Sequence, residues 1–201
     1  MSDLAINRMT LAEFLGWDDG TDTRYELIDG VPVAMAPPAV AHGRLAARLT
    51  ARIDAALAAH PGCYVQSEAG IVRPERQDTF YVADLAVSCT AAEAGDQITP
   101  EPVLIVEILS PTTTAEDLRE KIPDYLRIPS VREVVALDSL RVFAQVMRRQ
   151  GEHWITEIVQ GREAVLSLSS VGLSVAMSDL YDGIALSETR PRARAGGRRR
   201  R

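Results

Sequence analysis

The sequence is short of several features that would assign it to a common class. No apolar run reaches the ~20 residues that cross a bilayer, and the first residues lack the charged start and apolar block of a secretory signal. The sequence also contains no G-x-x-x-x-G-K-[ST] loop, no G-x-G-x-x-G and no H-E-x-x-H, so the common phosphate-binding, dinucleotide-binding and zinc-protease motifs are excluded. We therefore expect a cytoplasmic protein of another class.

Cysteine is scarce as well. Cys63 and Cys89 are the only two, and they do not form a C-x-x-C pair. This spacing indicates neither a zinc site nor a disulfide framework. We predict that both are small buried hydrophobic side chains.

Lysine is almost absent. Lys121 is the only lysine beside 21 arginines. Its ammonium is a compact point charge that a guanidinium does not replace. A single lysine in such a chain is therefore a candidate for a specific role.

The charge is unevenly distributed. The chain has a formal net charge of −6, and residues 190–201 carry seven arginines and no acid, so residues 1–189 sum to −13. We expect one domain in residues 1–189 and a disordered basic tail in 190–201. An acidic body does not attract nucleic acid, whereas the tail would, so a nucleic-acid-tethering arm is the alternative for the tail.

The pattern of apolar residues predicts a mixture of helices and strands. Thr10 and Glu13 fit a capping box that opens a short helix, and Asp29-Gly30 predicts a hairpin turn within 25–33. A βαβ crossover is expected over 103–138, with a helix capped by Thr113. The other predicted elements are a helix at 41–59, strands at 63–72, 79–88, 104–109 and 131–138, a hairpin at 142–159, and a final strand with a short helical turn within 166–186. The predicted class is α/β (α+β) with a mixed sheet.

One proline interrupts the predicted crossover helix. Pro123 lies inside the span that should run to about residue 128. A proline in a helix interior removes a backbone donor and clashes with the preceding turn. We therefore predict a kink or break near Ile122, which would move the Lys121 ammonium.

Two acids occur where strands should be buried. Glu107 lies between four apolar residues before it and two after it, and Asp84 interrupts the run Phe80-Tyr-Val-Ala-Asp-Leu-Ala-Val. A run without alternation indicates a strand covered on both faces, where an unpaired carboxylate costs several kcal/mol. If the two strands are neighbours, the two acids approach each other.

Two explanations account for such a pair. A divalent cation with a preference for oxygen ligands, Mg²⁺ or Mn²⁺, would join the two carboxylates. Alternatively, each acid pairs with one of the many arginines and has a structural role only. The single ammonium of Lys121 on the next helix favours the first explanation, because it could reach back over the carboxyl end of the strand.

The order and spacing of these residues resemble a known family. The layout Asp84 … Glu107-x-x-Ser110-Pro111 … Lys121 … Tyr125 is similar to that of the Uma2 endonuclease family, within the restriction-endonuclease-like PD-(D/E)XK superfamily. The segments MTLAEFL, YELIDGVPV and VREVVALD, and a histidine that opens the long helix, agree with it, so that the resemblance covers roughly residues 9 to 186. One departure is Ala83, which stands where the superfamily motif has proline.

The resemblance implies a restriction-endonuclease-like core and a set of site residues. Asp84, Glu107 and the backbone carbonyl of Ile108 would be metal ligands, and Lys121 would be the migrated lysine of the motif. Glu26 would lie near the metal, although an exposed hairpin carboxylate is equally compatible with its position. His42 matches a family position, but a histidine at a helix start is also a common capping or surface residue. Tyr125 and Ser110 are expected to pack or hydrogen-bond around the site.

Two functions follow as hypotheses. The first is an Mg²⁺- or Mn²⁺-dependent endonuclease that hydrolyses phosphodiester bonds in DNA, as a homodimer by analogy with restriction enzymes. The second is a non-catalytic protein that retains the nuclease fold and binds nucleic acid. Metal binding that depends on Glu107 separates them.

Overall fold

The computed structural model describes residues 8–110 and 115–186, and of residues 115–118 only the backbone. The helix cap predicted at Thr113 and the basic tail predicted at 190–201 lie outside the described residues. The domain boundary at residue 189 lies there too and stays a prediction.

The described residues form four α-helices, one 3-10 helix and ten strands. The helices are α1 Leu11–Leu15, α2 Val40–Leu57, α3 Ala115–Arg127 and α4 Met177–Leu180, and a 3-10 helix spans Ser169–Val171. The strands are β1 Tyr25–Ile28, β2 Val31–Ala34, β3 Tyr64–Ile71, β4 Tyr81–Ser88, β5 Pro102–Leu109, β6 Glu133–Asp138, β7 Phe143–Gln150, β8 His153–Gln160, β9 Val165–Leu168 and β10 Leu173–Ala176.

Six strands build the central sheet. Its order is β3-β4-β5-β6-β7-β8. The neighbours β5 and β6 are parallel, and all other neighbours are antiparallel. Since α3 connects the two parallel strands, the predicted βαβ crossover is confirmed, as is the predicted class of a mixed sheet flanked by helices. The remaining strands form two separate hairpins, β1-β2 and β9-β10.

Both faces of the sheet are covered. Along β5, Leu104, Val106 and Ile108 belong to one apolar cluster, which also contains the buried stripe of α2. The intervening Ile105 belongs to a second cluster, with Tyr125 of α3. Each such side chain contributes roughly 1.5–3 kcal/mol by leaving water. The uninterrupted apolar run of β5 therefore has the predicted cause: successive residues face two different cores.

A tight turn fixes the β1-β2 hairpin. Asp29 and Gly30 have φ values of 49° and 79°, as a two-residue type I′ turn requires, so the predicted hairpin is confirmed. A side chain at Gly30 would also collide with Arg8, because a Cβ there would lie 2.8 Å from the Arg8 Cβ. The hairpin is tied to β4 by an antiparallel bridge between Leu27 and Phe80. This bridge sets Glu26 beside the start of β4.

Of the kink or break predicted near Ile122, the break does not occur. Helix α3 continues through Pro123 to Arg127. Side-chain contacts of the next turn hold the helix in place: Asp124 accepts hydrogen bonds from Arg73 and Tyr81, and Tyr125 donates one to Glu107. These tertiary contacts outweigh the backbone bond that proline cannot make.

The prediction for the two cysteines is also wrong. Cys63 and Cys89 form a disulfide, and Cys89 is exposed. The β3-β4 register pairs Tyr64 with Ser88, so the two cysteines face each other one position beyond that pair. Only strand pairing brings them together, and sequence spacing does not show it. Disulfides persist mainly in oxidising compartments, so this bond does not favour the cytoplasmic location, which stays a prediction.

The segment after β8 contains more strand than predicted. Two strands, β9 and β10, pair with each other instead of the one expected, and the short helical turn is α4. The reversal between the strands uses Gly172, whose φ of 65° is left-handed.

None of the helices in the described ranges has the length and apolar content that crossing a bilayer requires.

Candidate active site

A cleft of about 1150 Å³ lies beside the start of β4 and the end of β5. Its walls come from the β1-β2 hairpin, the start of α2, and strands β3, β4 and β5, with one residue from α3. All six residues singled out from the sequence line this cleft: Glu26, His42, Asp84, Glu107, Ile108 and Lys121. The structure therefore brings together side chains from five different elements.

Asp84 and Glu107 lie on neighbouring antiparallel strands. They stand one position beyond the paired residues Leu85 and Val106, where the register sets them opposite each other. The β4-β5 ladder ends here, because the backbone N–H of Ile108 donates to the Asp84 side chain instead of to a β4 carbonyl. The distance from this nitrogen to Asp84 Oδ2 is 2.6 Å. Two carboxylates are thus held side by side at the edge of a buried strand.

Glu107 is the most perturbed acid in the cleft. It is 8% exposed, and the Tyr125 hydroxyl donates to its Oε1 at 2.6 Å. Burial is the main cause that raises its pKa to about 7, and the negative charges of Asp84 and Glu26 act in the same direction. The Lys121 ammonium and the Tyr125 hydrogen bond oppose this rise. The net result is a Glu107 pKa well above that of an ordinary glutamate.

Lys121 points into the same group of acids. Its Nζ donates to Glu26 Oε1 at 2.6 Å and lies 5.8 Å from the centre of the Tyr81 ring. Burial lowers the pKa of this ammonium, but the charges of Glu107 and Glu26 outweigh burial and raise it. The lysine is consequently charged, and its ion pair with Glu26 holds it in the cleft. Pro123, two residues later, does not turn the ammonium away.

Glu26 is buried, so it is not the exposed hairpin carboxylate that was the alternative. Its Oε1 accepts the Lys121 ammonium and also the backbone N–H of Val82, at 2.7 Å. The residue fastens the hairpin to β4 and the ammonium to the cleft at the same time. It fixes where the positive charge of Lys121 lies.

His42, on the first turns of α2, contacts Asp84. Its Nε2 lies 3.0 Å from Asp84 Oδ1, and this hydrogen bond raises the histidine pKa although burial lowers it. The other ring nitrogen, Nδ1, is buried and has no hydrogen-bond partner within the described ranges. His42 is thus part of the carboxylate cluster and not a surface or capping residue.

Arginine does not account for the two strand acids. Within residues 8–110 and 115–186, the ion-pair partner of Asp84 is His42. Arg73 and Arg76 instead contact Asp124, which also accepts a hydrogen bond from the Tyr81 hydroxyl. The explanation by arginine ion pairs alone therefore has no support in the described part of the chain.

The oxygen atoms of the cleft fit a hard divalent cation. No group of three or more His, Cys, Asp and Glu side chains suited to a metal is found in the part of the chain that the structure describes. Mg²⁺, however, is usually held by one or two carboxylates and keeps waters or substrate phosphates. Each carboxylate has about four lone-pair sites, so Asp84 and Glu107 retain acceptor capacity. A cation would relieve the repulsion between Asp84 and Glu107, which adds to the effect of burial in raising the Glu107 pKa.

Three further charged residues at the cleft were missed from the sequence: Asp22, Arg24 and Glu68. Arg24 and Glu68 both line it and form an exposed ion pair. Glu68 occupies the β3 position opposite Asp84, with a left-handed φ of 52°. Glu68 could have been found as an acid within the predicted strand that became Tyr64–Ile71. Asp22, in a polar bend, and Arg24, directly before β1, give no such indication.

Ser110 and Tyr125 were expected to support the site. Tyr125 does so through its hydrogen bond to Glu107, and Ser110 lines the cleft. The role expected for the carbonyl of Ile108 stays a prediction, since the observed contact of this residue is made by its N–H.

Comparison with known proteins gives related sequences and a related fold. The model of the Uma2 family, described as "Putative restriction endonuclease", matches residues 11–178. The "Uncharacterized protein slr1290" of Synechocystis sp. is 24% identical over 180 residues, which are 89% of this chain and 94% of that protein. A crystal structure of "a putative nuclease belonging to DUF820" from Anabaena variabilis superposes with a TM-score of 0.70 at 21% identity, and the match covers 86% of this chain and 97% of that one.

Proposed function

The chain belongs to the Uma2 family, and we propose that it is a metal-dependent endonuclease that hydrolyses phosphodiester bonds in DNA. The family supports a nuclease in general. The observation that carries the proposal is the convergence of Asp84, Glu107 and Lys121 in one cleft.

Asp84 and Glu107 would hold the cation, together with the carbonyl of Ile108. Mg²⁺ or Mn²⁺ bound there would polarise the scissile phosphate and acidify an attacking water. The hydrogen bonds from His42 to Asp84 and from Tyr125 to Glu107 fix the orientation of the two carboxylates. The two carboxylates would therefore need little rearrangement to bind a cation.

Lys121 would stabilise charge on the phosphoryl oxygens. It is the only cation buried beside both Glu26 and Glu107 among the described residues. An ammonium fixed in a partly dry cleft acts more strongly on developing negative charge than one in water. Glu26 is a positioning residue, since it holds the Nζ atom in place.

His42 would act as a proton donor. Its Nε2 proton is shared with Asp84, and its raised pKa keeps the ring protonated to higher pH than usual. A protonated imidazole at the cleft is a suitable donor to the departing oxygen. The role requires that the ring release its hydrogen bond to Asp84, because the other ring nitrogen, Nδ1, is buried.

Plasmid cleavage tests the proposal. We expect the wild-type protein to nick or cut DNA with Mg²⁺ or Mn²⁺ and not with EDTA. Asp84→Asn and Lys121→Met should lose cleavage by at least about a hundredfold, while Asp179→Asn, an exposed acid outside the cleft, should retain it. Equal cleavage by Asp84→Asn and wild type would refute the assignment.

The same samples test the alternative function. A protein that binds DNA, shows no Mg²⁺-dependent gain in melting temperature and cleaves nothing would be the non-catalytic nucleic-acid-binding protein. Gel filtration of the intact chain tests the homodimer proposed by analogy.

A further inference from the structure

One wall of the cleft is apolar and open to solvent. Residues 31–41, VPVAMAPPAVA, contain no polar side chain. Six of them line the cleft, namely Val33, Ala34, Met35, Ala36, Pro37 and Pro38. All six are exposed except Met35, which is partly exposed. We call these six residues the apolar wall.

Packing does not explain this stretch. Val33 is 41% exposed, and it faces the cleft beside the proposed site, since the hairpin register pairs it with Glu26. Contiguous exposed apolar surface usually marks a contact with a ligand or partner. Because this surface is continuous with the cluster of acids, we take its occupant to be the molecule that enters the cleft.

The charges across the cleft narrow the choice of occupant. Five acids line it, Asp22, Glu26, Glu68, Asp84 and Glu107, against the bases Arg24, His42 and Lys121. Lys121 is engaged with Glu26, and Arg24 is exposed at the rim. Few cationic side chains in this lining are therefore available to contact the phosphates of a nucleic acid. Electrostatic attraction, the usual source of affinity for nucleic acid, is therefore weak inside the cleft.

A polynucleotide strand with unpaired bases matches these features. Its bases present apolar faces and its backbone presents phosphates, so the two sides of the strand differ as the two sides of the cleft do. In a duplex the base faces are stacked inside and are not available to an apolar wall.

We propose that the apolar wall contacts unpaired bases, so that the preferred substrate is a nucleic acid strand in single-stranded form. This inference rests on the proposed nuclease function. Bases would lie against Val33, Met35 and Pro37, and the phosphates would lie on the charged side of the cleft, toward its cations Lys121 and Arg24. Arg24 would leave Glu68 to contact a phosphate at the rim.

Binding and cleavage of unpaired and duplex oligonucleotides of the same sequence test this. Binding is measured by fluorescence anisotropy of the intact chain in EDTA, and cleavage in Mg²⁺. We expect tighter binding and faster cleavage of the unpaired strand. Val33→Ser should weaken its binding about three- to fivefold, the effect of losing one small apolar contact. That factor should stay constant across a salt series, because the lost contact carries no charge.

A matched control and a gain-of-function variant complete the test. Val165→Ser changes a valine that is 51% exposed, also within a strand, but outside the cleft, and should leave binding unchanged. Val33→Tyr should strengthen binding of the unpaired strand about fivefold or more, since aromatic rings stack on bases. Misfolding does not produce a gain.

Three results would overturn the inference: preference for the duplex, equal effects of Val33→Ser and Val165→Ser, or a change of oligomeric state in Val33→Ser by gel filtration. The last would assign the apolar wall to a second copy of the chain. Hydrolysis of bis(p-nitrophenyl) phosphate by the wild-type protein in Mg²⁺ monitors the nuclease function separately. If it occurs and the unpaired strand is not preferred, only the inference about the substrate fails.

Discussion

Two buried glutamates on the adjacent parallel strands β5 and β6 have opposite surroundings. Glu107 is 8% exposed and Glu133 is 1% exposed. Glu133 accepts hydrogen bonds from Arg148 and from the backbone and hydroxyl groups of Ser169 and Ser170. Burial raises its pKa, but these hydrogen bonds together lower it. Among the described residues, Tyr125 is the hydrogen-bond donor to Glu107, and burial raises the pKa of Glu107 to about 7.

The difference lies in how completely each charge is satisfied. Glu133 joins β6 to β7 and to the 3-10 helix, so its charge is used in folding. Glu107 faces an open cleft beside another acid, Asp84, so its ionised form destabilises the folded protein. A buried carboxylate indicates a functional site only when its neighbours leave it unsatisfied.

The largest expected effect separates the two in activity. Glu107→Gln should reduce DNA cleavage at least about a thousandfold, roughly 4 kcal/mol in the barrier, and should not lower the melting temperature, because it removes an unfavourable buried charge. Cleavage of plasmid by matched amounts of folded protein measures the first, and thermal unfolding in EDTA the second. A large loss of stability in Glu107→Gln would make this residue structural like Glu133.

The converse substitution should affect folding. Glu133→Gln leaves the Arg148 guanidinium without its buried partner, and breaking such a pair costs about 3 kcal/mol. Urea unfolding should show this loss, while cleavage per folded molecule stays close to that of wild type. If Glu133→Gln folds as stably as wild type, the comparison between the two acids fails.

The pH dependence of stability should have opposite signs at the two residues. The folded-state pKa of Glu107 is raised from 4.5 to about 7, so its contribution to stability is complete below pH 4.5 and is lost as the pH rises to about 7. The loss is at most roughly 3 kcal/mol, and Glu107→Gln should gain on wild type over this range. The pKa of Glu133 is lowered, so its contribution is present above its ordinary pKa and is lost as the pH falls through the lowered value.

Urea unfolding of wild type, Glu107→Gln and Glu133→Gln in EDTA at a series of pH values measures both effects. Parallel curves for wild type and Glu107→Gln would show that Glu107 has an ordinary pKa in the folded protein.

The smallest expected effect concerns single hydrogen bonds. Tyr125→Phe removes the hydroxyl donor to Glu107 and should raise the Glu107 pKa, which moves the pH-activity profile of cleavage to higher pH. Ser170→Ala removes one donor of several from Glu133 and should cost about 1 kcal/mol without moving that profile. An unchanged profile in Tyr125→Phe would show that this hydroxyl does not tune the site.

Much of this contrast could not be predicted from the sequence. Glu133 stands in an apolar strand, as Glu107 does, but its partners Ser169 and Ser170 lie more than 30 residues away and only the fold brings them together. Asp84, Glu107 and Lys121 were identifiable because an acid in a buried strand, or a single lysine, is unusual locally. The site residues that the sequence revealed are those that are unusual in their local sequence: an acid within an apolar strand, or the single lysine of the chain.

The fold was predictable to the same extent and for the same reason. The Asp29-Gly30 turn, the capping box of α1 and the β5-α3-β6 crossover depend on local patterns, and all three predictions are confirmed. The continuity of α3 through Pro123 and the pairing of Cys63 with Cys89 depend on contacts between distant elements. Local patterns do not contain that information.

The connection between the two acid-bearing strands has a practical consequence. Residues 89–101 join β4 to β5 at the end of the ladder away from Asp84 and Glu107, and their tip at Gly95 has open space around it. A reporter peptide or fluorescent domain grafted at Gly95 would therefore leave the facing carboxylates in register. The protein offers a place to attach a handle for single-molecule work without disturbing its chemistry.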